Sequence, residues 1–169
     1  NGTAMFQRSQ KKAAQLLDEK GLRHKVIELL ARREYSYGEL EQKLQPLTED
    51  EAAMYRALDW VVEMGLQSDT RFTEMFIRSK AVSGYGPVRI RMELRQKHIG
   101  ADLIELGFEN IEDEINWSEE VDRLIEKKAN ALDLSDMKSK NKVMGFLQRR
   151  GFNLDQIYAG FDRLKSSGA

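Results

Sequence analysis

The 169-residue chain contains no cysteine. That excludes disulfides, thiolate zinc sites and thiol nucleophiles, and it suits a reducing compartment, so a cytoplasmic location is expected. Histidine is nearly absent too. His24 and His98 stand far apart and show no H-E-x-x-H spacing. His24, between Arg23 and Lys25, reads as a surface residue. There is no G-x-x-x-x-G-K-S/T loop to cradle nucleotide phosphates. No apolar run approaches the ~18–20 residues a membrane helix needs, and the N-terminus has no apolar signal segment. The expectation is therefore a protein without enzymatic activity, cofactor, metal or membrane span. Asn1 to Ala4, ahead of Met5, read as the remnant of a tag, with Met5 as the native start.

Proline is scarce as well, at two residues, and no segment alternates with period two for long enough to suggest a sheet. The hydrophobic fraction is 41% and the charged fraction 33%, which fits an all-α protein with a heavily charged surface. A polar lead-in over 7–20 ends at Gly21. The periodic set Val26, Ile27, Leu29 and Leu30 predicts a helix from Leu22 to Arg33. Ser36 and Glu39 have capping-box spacing before Leu40 and Leu44, and Thr48 and Glu51 repeat that spacing before a helix carrying Leu58 and Trp60. Ser68 or Asp69 can cap a helix containing Phe72, Phe76 and Ile77. Further helices are predicted over 118–131, 135–150 and 153–165.

The chain repeats itself. Leu94 and Leu147 stand 53 positions apart, and the same offset pairs Lys97 with Arg150, Ile99 with Phe152, Ile104 with Ile157, Gly107 with Gly160, and Phe108 with Phe161. Glu39-Leu40 and Lys43 echo Glu93-Leu94 and Lys97 more faintly. Three tandem three-helix repeats are expected, over 22–66, 67–115 and 116–169, after a lead-in over 1–21. Stacking of such units would give an elongated, curved body with an extended surface.

The central stretch Gly84-Tyr85-Gly86-Pro87-Val88-Arg89-Ile90-Arg91-Met92-Glu93-Leu94-Arg95-Gln96-Lys97-His98-Ile99-Gly100 reads as a loop, a short basic helix with an Ile90–Leu94 seam, and a stop at Gly100. Charge is segregated around it. Arg71, Arg78, Lys80, Arg89, Arg91, Arg95 and Lys97 lie in 71–98 against Glu74 and Glu93, whereas 100–122 has nine acidic residues and no basic one. Lys138, Lys140, Lys142, Arg149 and Arg150 then restore positive charge. Guanidinium groups can hold phosphate or carboxylate with two hydrogen bonds, so these stretches are candidate contacts for an anionic partner. Tyr85 is either a packing anchor or an interface aromatic. Charged helix faces are more often simply solvated, and that reading stands beside the functional one for both stretches.

This central stretch closely resembles the signature of the RecX family, bacterial regulators of the RecA recombinase. Leu30 to Leu44 looks like the family's first-repeat pattern, and Gly65-Leu66-Gln67-Ser68-Asp69-Thr70-Arg71-Phe72 looks like the element before its second repeat. His98 stands where the family usually has glycine, and Gln67-Ser68 replaces a more acidic pair. The resemblance implies three tandem three-helix units lodged in the groove of a RecA–DNA filament, restraining ATP hydrolysis, strand exchange and filament growth. It implies a RecA nucleoprotein filament as partner for a monomeric protein, with single- or double-stranded DNA as a further contact of the basic patches. A stand-alone DNA-binding module using helices 69–82 and 87–98, or a scaffold for another protein, are the other readings.

Overall fold

Residues 16–168 are described by the structure, a computed structural model. Their regular elements are helices, with no strand among the described residues: α1 (Glu19–Arg32), α2 (Tyr37–Leu44), α3 (Glu51–Glu63), α4 (Asp69–Val82), α5 (Pro87–Gln96), α6 (Ala101–Asn110), α7 (Trp117–Ala129), α8 (Met137–Arg150) and α9 (Leu154–Ser166). They fall into three successive triplets, with short 3₁₀ turns at Gln45–Leu47 and Glu112–Glu114. Asn1–Ala4, expected to be a tag remnant, Met5, the expected native start, and residues 7–15 of the lead-in lie outside the described residues.

Local side-chain chemistry sets the helix starts. The capping box of α2 is complete: the Glu39 N–H donates to the Ser36 hydroxyl at 3.0 Å, and the Ser36 N–H donates to the Glu39 carboxylate at 3.1 Å. Two expectations are corrected. Helix α1 starts at Glu19 because the Asp18 carboxylate accepts the Gly21 N–H at 2.8 Å, so Gly21 lies in its first turn and ends nothing. Helix α3 is capped by Asp50, which accepts the Ala53 N–H at 3.1 Å, while the Thr48 hydroxyl accepts the Asp50 N–H. At α4, the Ser68 hydroxyl accepts the Arg71 N–H at 3.2 Å.

The stop after α5 is also displaced. His98, with φ 65°, takes the left-handed conformation, whereas Gly100 has φ −71° and caps the start of α6. Fifty-three positions on, Gly151 takes φ 101° after α8 and Asn153 caps α9. The two copies thus share a backbone path, and one makes the turn without glycine.

The chain divides into two compact bodies. The first holds the residues up to Thr73 together with Lys97–Ile99. Its core joins Leu22, Val26 and Leu29 of α1, Leu40 and Leu44 of α2, and Met54, Leu58 and Val61 of α3. Each such side chain, fully buried, contributes about 1.5–3 kcal/mol. Ile27 and Val62, apolar but on the other faces, are exposed. The second body holds Glu74–Gln96 and the residues from Gly100 onward. There Val121 and Ile125 of α7 meet Val143 and Leu147 of α8 and Ile157 and Phe161 of α9, with Phe152 between. Gly160 lets α9 approach α7 closely, since a Cβ there would come within 2.7 Å of Val121 and Ile125 side-chain atoms. Ile90, Leu94 and Ile104 are likewise buried in this body.

Candidate partner-binding surface

Many of the candidate cations are already engaged within their own body. In the first, the Arg71 guanidinium bonds the Glu34 carboxylate at 2.6 Å and donates to the carbonyls of Gly65 and Leu66. Lys97 donates to Glu39 at 3.1 Å, where Arg33 also donates. Burial would raise the Glu39 carboxyl, but hydrogen bonds from Arg33, the Ser36 N–H and Lys97 hold it below the ordinary value. The Ser36 hydroxyl donates to the Lys97 carbonyl at 2.7 Å, which seats residues 97–99 on this body. Gln67 is buried and bonds the Tyr35 carbonyl and Asp69.

In the second body, Arg78 pairs with Glu114 and Arg91 with Glu105, each at its shortest near 2.6–2.7 Å. The Glu105 carboxyl is lowered chiefly by its hydrogen bond from Arg91. Arg91 also covers Phe108, 4.3 Å from the ring centroid. The acidic run after Gly100 therefore does not form only a separate electrostatic zone; it supplies partners to the basic run before it.

Tyr85 is half-buried and is approached by Lys80 at 5.0 Å, Arg89 at 4.4 Å and Arg150 at 4.8 Å from its ring centroid. Glu93 lies 3.4 Å from Lys80 and 3.7 Å from Arg89. This cluster guards a joint between α5 and α8. The Gly86 N–H donates to the Arg150 carbonyl at 2.6 Å and the Val88 N–H to the Gly151 carbonyl at 2.9 Å. Arg89 donates to the Arg149 carbonyl and Arg150 to the Ser83 carbonyl, both at 3.1 Å. A Cβ on Gly86 would lie 2.6 Å from the Gly151 carbonyl carbon, and one on Gly151 would lie 2.6 Å from the Arg89 nitrogen. Gly86 and Gly151 are where the two backbones touch, which is why neither carries a side chain. Gly151 and Glu93 were not among the sequence candidates; for Gly151 the available signal was its alignment with His98.

Lys140 lies half-buried, 5.1 Å from the Phe161 ring centroid. The remaining candidates are uncommitted. Arg95 on α5, and Lys138, Lys142 and Arg149 on α8, are exposed, and no side-chain hydrogen bond or ion pair engages them among the described residues.

Two family models match the chain: the second three-helix domain of RecX over residues 68–106 and the third over residues 119–159. Regulatory protein RecX of Halorhodospira halophila is 37% identical over 138 residues, which is 82% of this chain and 84% of that one. The chain belongs to the RecX family. Regulatory protein RecX of Legionella pneumophila is 39% identical over 142 residues, covering 84% of this chain and 93% of its own. The crystal structure of RecX from Lactobacillus salivarius shares the fold, with a TM-score of 0.77 at 23% identity, over 88% of this chain and 97% of that one. The relatives are named regulatory proteins, and this chain is a member of that regulatory family. Among the described residues no helix is long and apolar enough to cross a membrane.

Proposed function

We propose that this chain regulates a RecA recombinase: it binds the RecA–DNA filament in its groove and restrains ATP hydrolysis, strand exchange and filament growth during DNA repair. The observation that carries the reading is the 37% identity to a regulatory protein RecX over four-fifths of the chain. It acts as a cytoplasmic monomer, without cofactor or catalysis of its own. The uncommitted cations Arg95, Lys138, Lys142 and Arg149 are the side chains best placed to meet filament carboxylates or phosphates, because using them breaks no internal pair. Arg71, Arg78, Arg91 and Lys97 would first have to leave a carboxylate.

A stand-alone helix-turn-helix reading of α4 and α5 has less support. Such a module presents the N-terminal residues of its recognition helix to base edges. Here the first turn of α5 is tied to the carbonyls of Arg150 and Gly151, with Gly86 and Pro87 buried.

The test is RecA ATPase on single-stranded DNA with increasing amounts of this protein. Inhibition at stoichiometric levels is expected, and an unchanged rate there overturns the proposal.

A further inference from the structure

The first body carries a cavity of about 390 Å³ that no lysine or arginine lines. Tyr37, Glu41 and Gln42 of α2 form one side, with Gln45 at the 3₁₀ turn that follows. Asp69, the first residue of α4, and His98 complete the lining. His98 can stand there because Gly38 has no side chain: a Cβ on Gly38 would lie 2.5 Å from the His98 Cβ. All of these residues belong to the first body, His98 through the segment Lys97–Ile99.

The hydrogen bonds around the cavity leave acceptors over. Glu41 accepts the Tyr55 hydroxyl at 2.8 Å, on Oε1. Asp69 accepts the Tyr37 N–H at 2.8 Å and the Gln67 amide at 2.9 Å, both on Oδ1. Glu41 Oε2 and Asp69 Oδ2 are uncommitted, and neither carboxylate enters an ion pair among the described residues. The Gln42 amide nitrogen lies 2.9 Å from the His98 Nε2, which leaves the Gln42 carbonyl oxygen as a further acceptor. Elsewhere on this body Glu34 meets Arg71, and Glu39 meets Arg33 and Lys97. The unbalanced charge is felt at Tyr37. Burial raises its phenol, and the Asp59 and Glu41 carboxylates push it the same way.

We infer that this cavity receives the guanidinium of an arginine side chain presented by a partner protein. Its five N–H donors, held in one plane, can meet Glu41 Oε2, Asp69 Oδ2 and the carboxamide oxygens of Gln42 and Gln45 together. An ammonium has only three donors and no such plane. A phosphate is disfavoured there, because it would face two unpaired carboxylates. Gln42, Gln45 and His98 are exposed, so a side chain standing on another protein's surface can enter. The volume lies within the ~300–1,000 Å³ of binding clefts. The inference goes beyond the regulatory reading and does not rest on it, since it uses none of the basic residues.

The experiment follows the full, isotope-labelled chain by NMR, reading the backbone amides of Gly38 and His98 and the side-chain amides of Gln42 and Gln45. The probe is N-acetyl-argininamide. N-acetyl-citrullinamide matches its shape without the charge, and N-acetyl-lysinamide supplies an ammonium instead. Saturable shifts are expected with the arginine probe at concentrations on the order of millimolar. The lysine probe should bind about threefold more weakly or worse, and the citrulline probe should not saturate. Glu41→Gln, which keeps an acceptor for Tyr55, is expected to weaken the arginine probe about three- to tenfold. Gln45→Lys places an ammonium in the cavity and should abolish binding. Glu49→Gln, at an exposed acid outside the cavity, should change nothing. Circular dichroism checks that each variant is folded. The inference is overturned by the absence of saturable shifts with the arginine probe, or by equal binding of the lysine or citrulline probe. Affinity unaltered in both cavity variants overturns it too. Inhibition of RecA is read in its own assay, so either proposal can fail while the other stands.

Discussion

Leu94 and Gly151 illustrate how differently single residues hold this protein. Leu94 is fully buried on the inner face of α5, so Leu94→Ala is expected to cost about 2–5 kcal/mol in urea unfolding. Gly151 acts by having no side chain. Gly151→Ala adds both left-handed strain and a clash with Arg89, a cost on the order of 3 kcal/mol or more, whereas Gly65→Ala, with positive φ but open space, should cost about 1–2 kcal/mol. His98 provides a coupled case, because a Cβ on Gly38 would lie 2.5 Å from the His98 Cβ. Gly38→Ala should destabilise the native chain and be partly rescued by His98→Gly, with a coupling of about 0.5–3 kcal/mol in a double-mutant cycle. Glu39 carries a pH signature. Its folded pKa is depressed, so its contribution is present above the unfolded carboxylate value and is lost as pH falls through the folded one. Urea midpoints across the acid range should lose part of their pH slope in Glu39→Gln.

Among the helices, the sequence made the periodic seams and the 53-position repeat legible, because burial and helix starts are local and recur: Ile99 and Phe152 are both buried, and Gly100 and Asn153 both stand at the N-cap position, though only Asn153 caps with its side chain. Caps failed where two candidates competed, as at Thr48 and Asp50, since spacing alone does not say which oxygen reaches the free N–H. The charge pattern misled for a related reason. A basic run followed by an acidic run looks like two surfaces, yet Arg91 and Glu105 come from the successive helices α5 and α6 and pair with each other. Arg91 and Arg95 should therefore separate experimentally. Arg91→Glu sets two carboxylates together and uncovers Phe108, so a loss of stability near 1 kcal/mol is expected, while Arg95→Glu should stay within about 0.5 kcal/mol of wild type and weaken filament binding.

For the molecule as a whole, membership in RecX connects the three triplets to a regulatory family, but the α5–α8 joint lay beyond reading from the sequence. It depends on backbone atoms of residues far apart, and neither Gly86 nor Gly151 signals the other by pattern. Native-state hydrogen exchange should find the α5 and α8 amides opening with similar free energies, as one cooperative element; a clearly lower value for α8 would mean that the joint is weak. The joint also bears on how the protein is made. The bonds that seal it span 60 and 67 positions, from Arg89 to Arg149 and from Arg150 to Ser83. Closing a loop of that length costs chain entropy before any contact rewards it, so formation of the joint is a candidate slow step in folding. On the ribosome, α5 must wait for the third triplet to emerge before its first turn finds its acceptors.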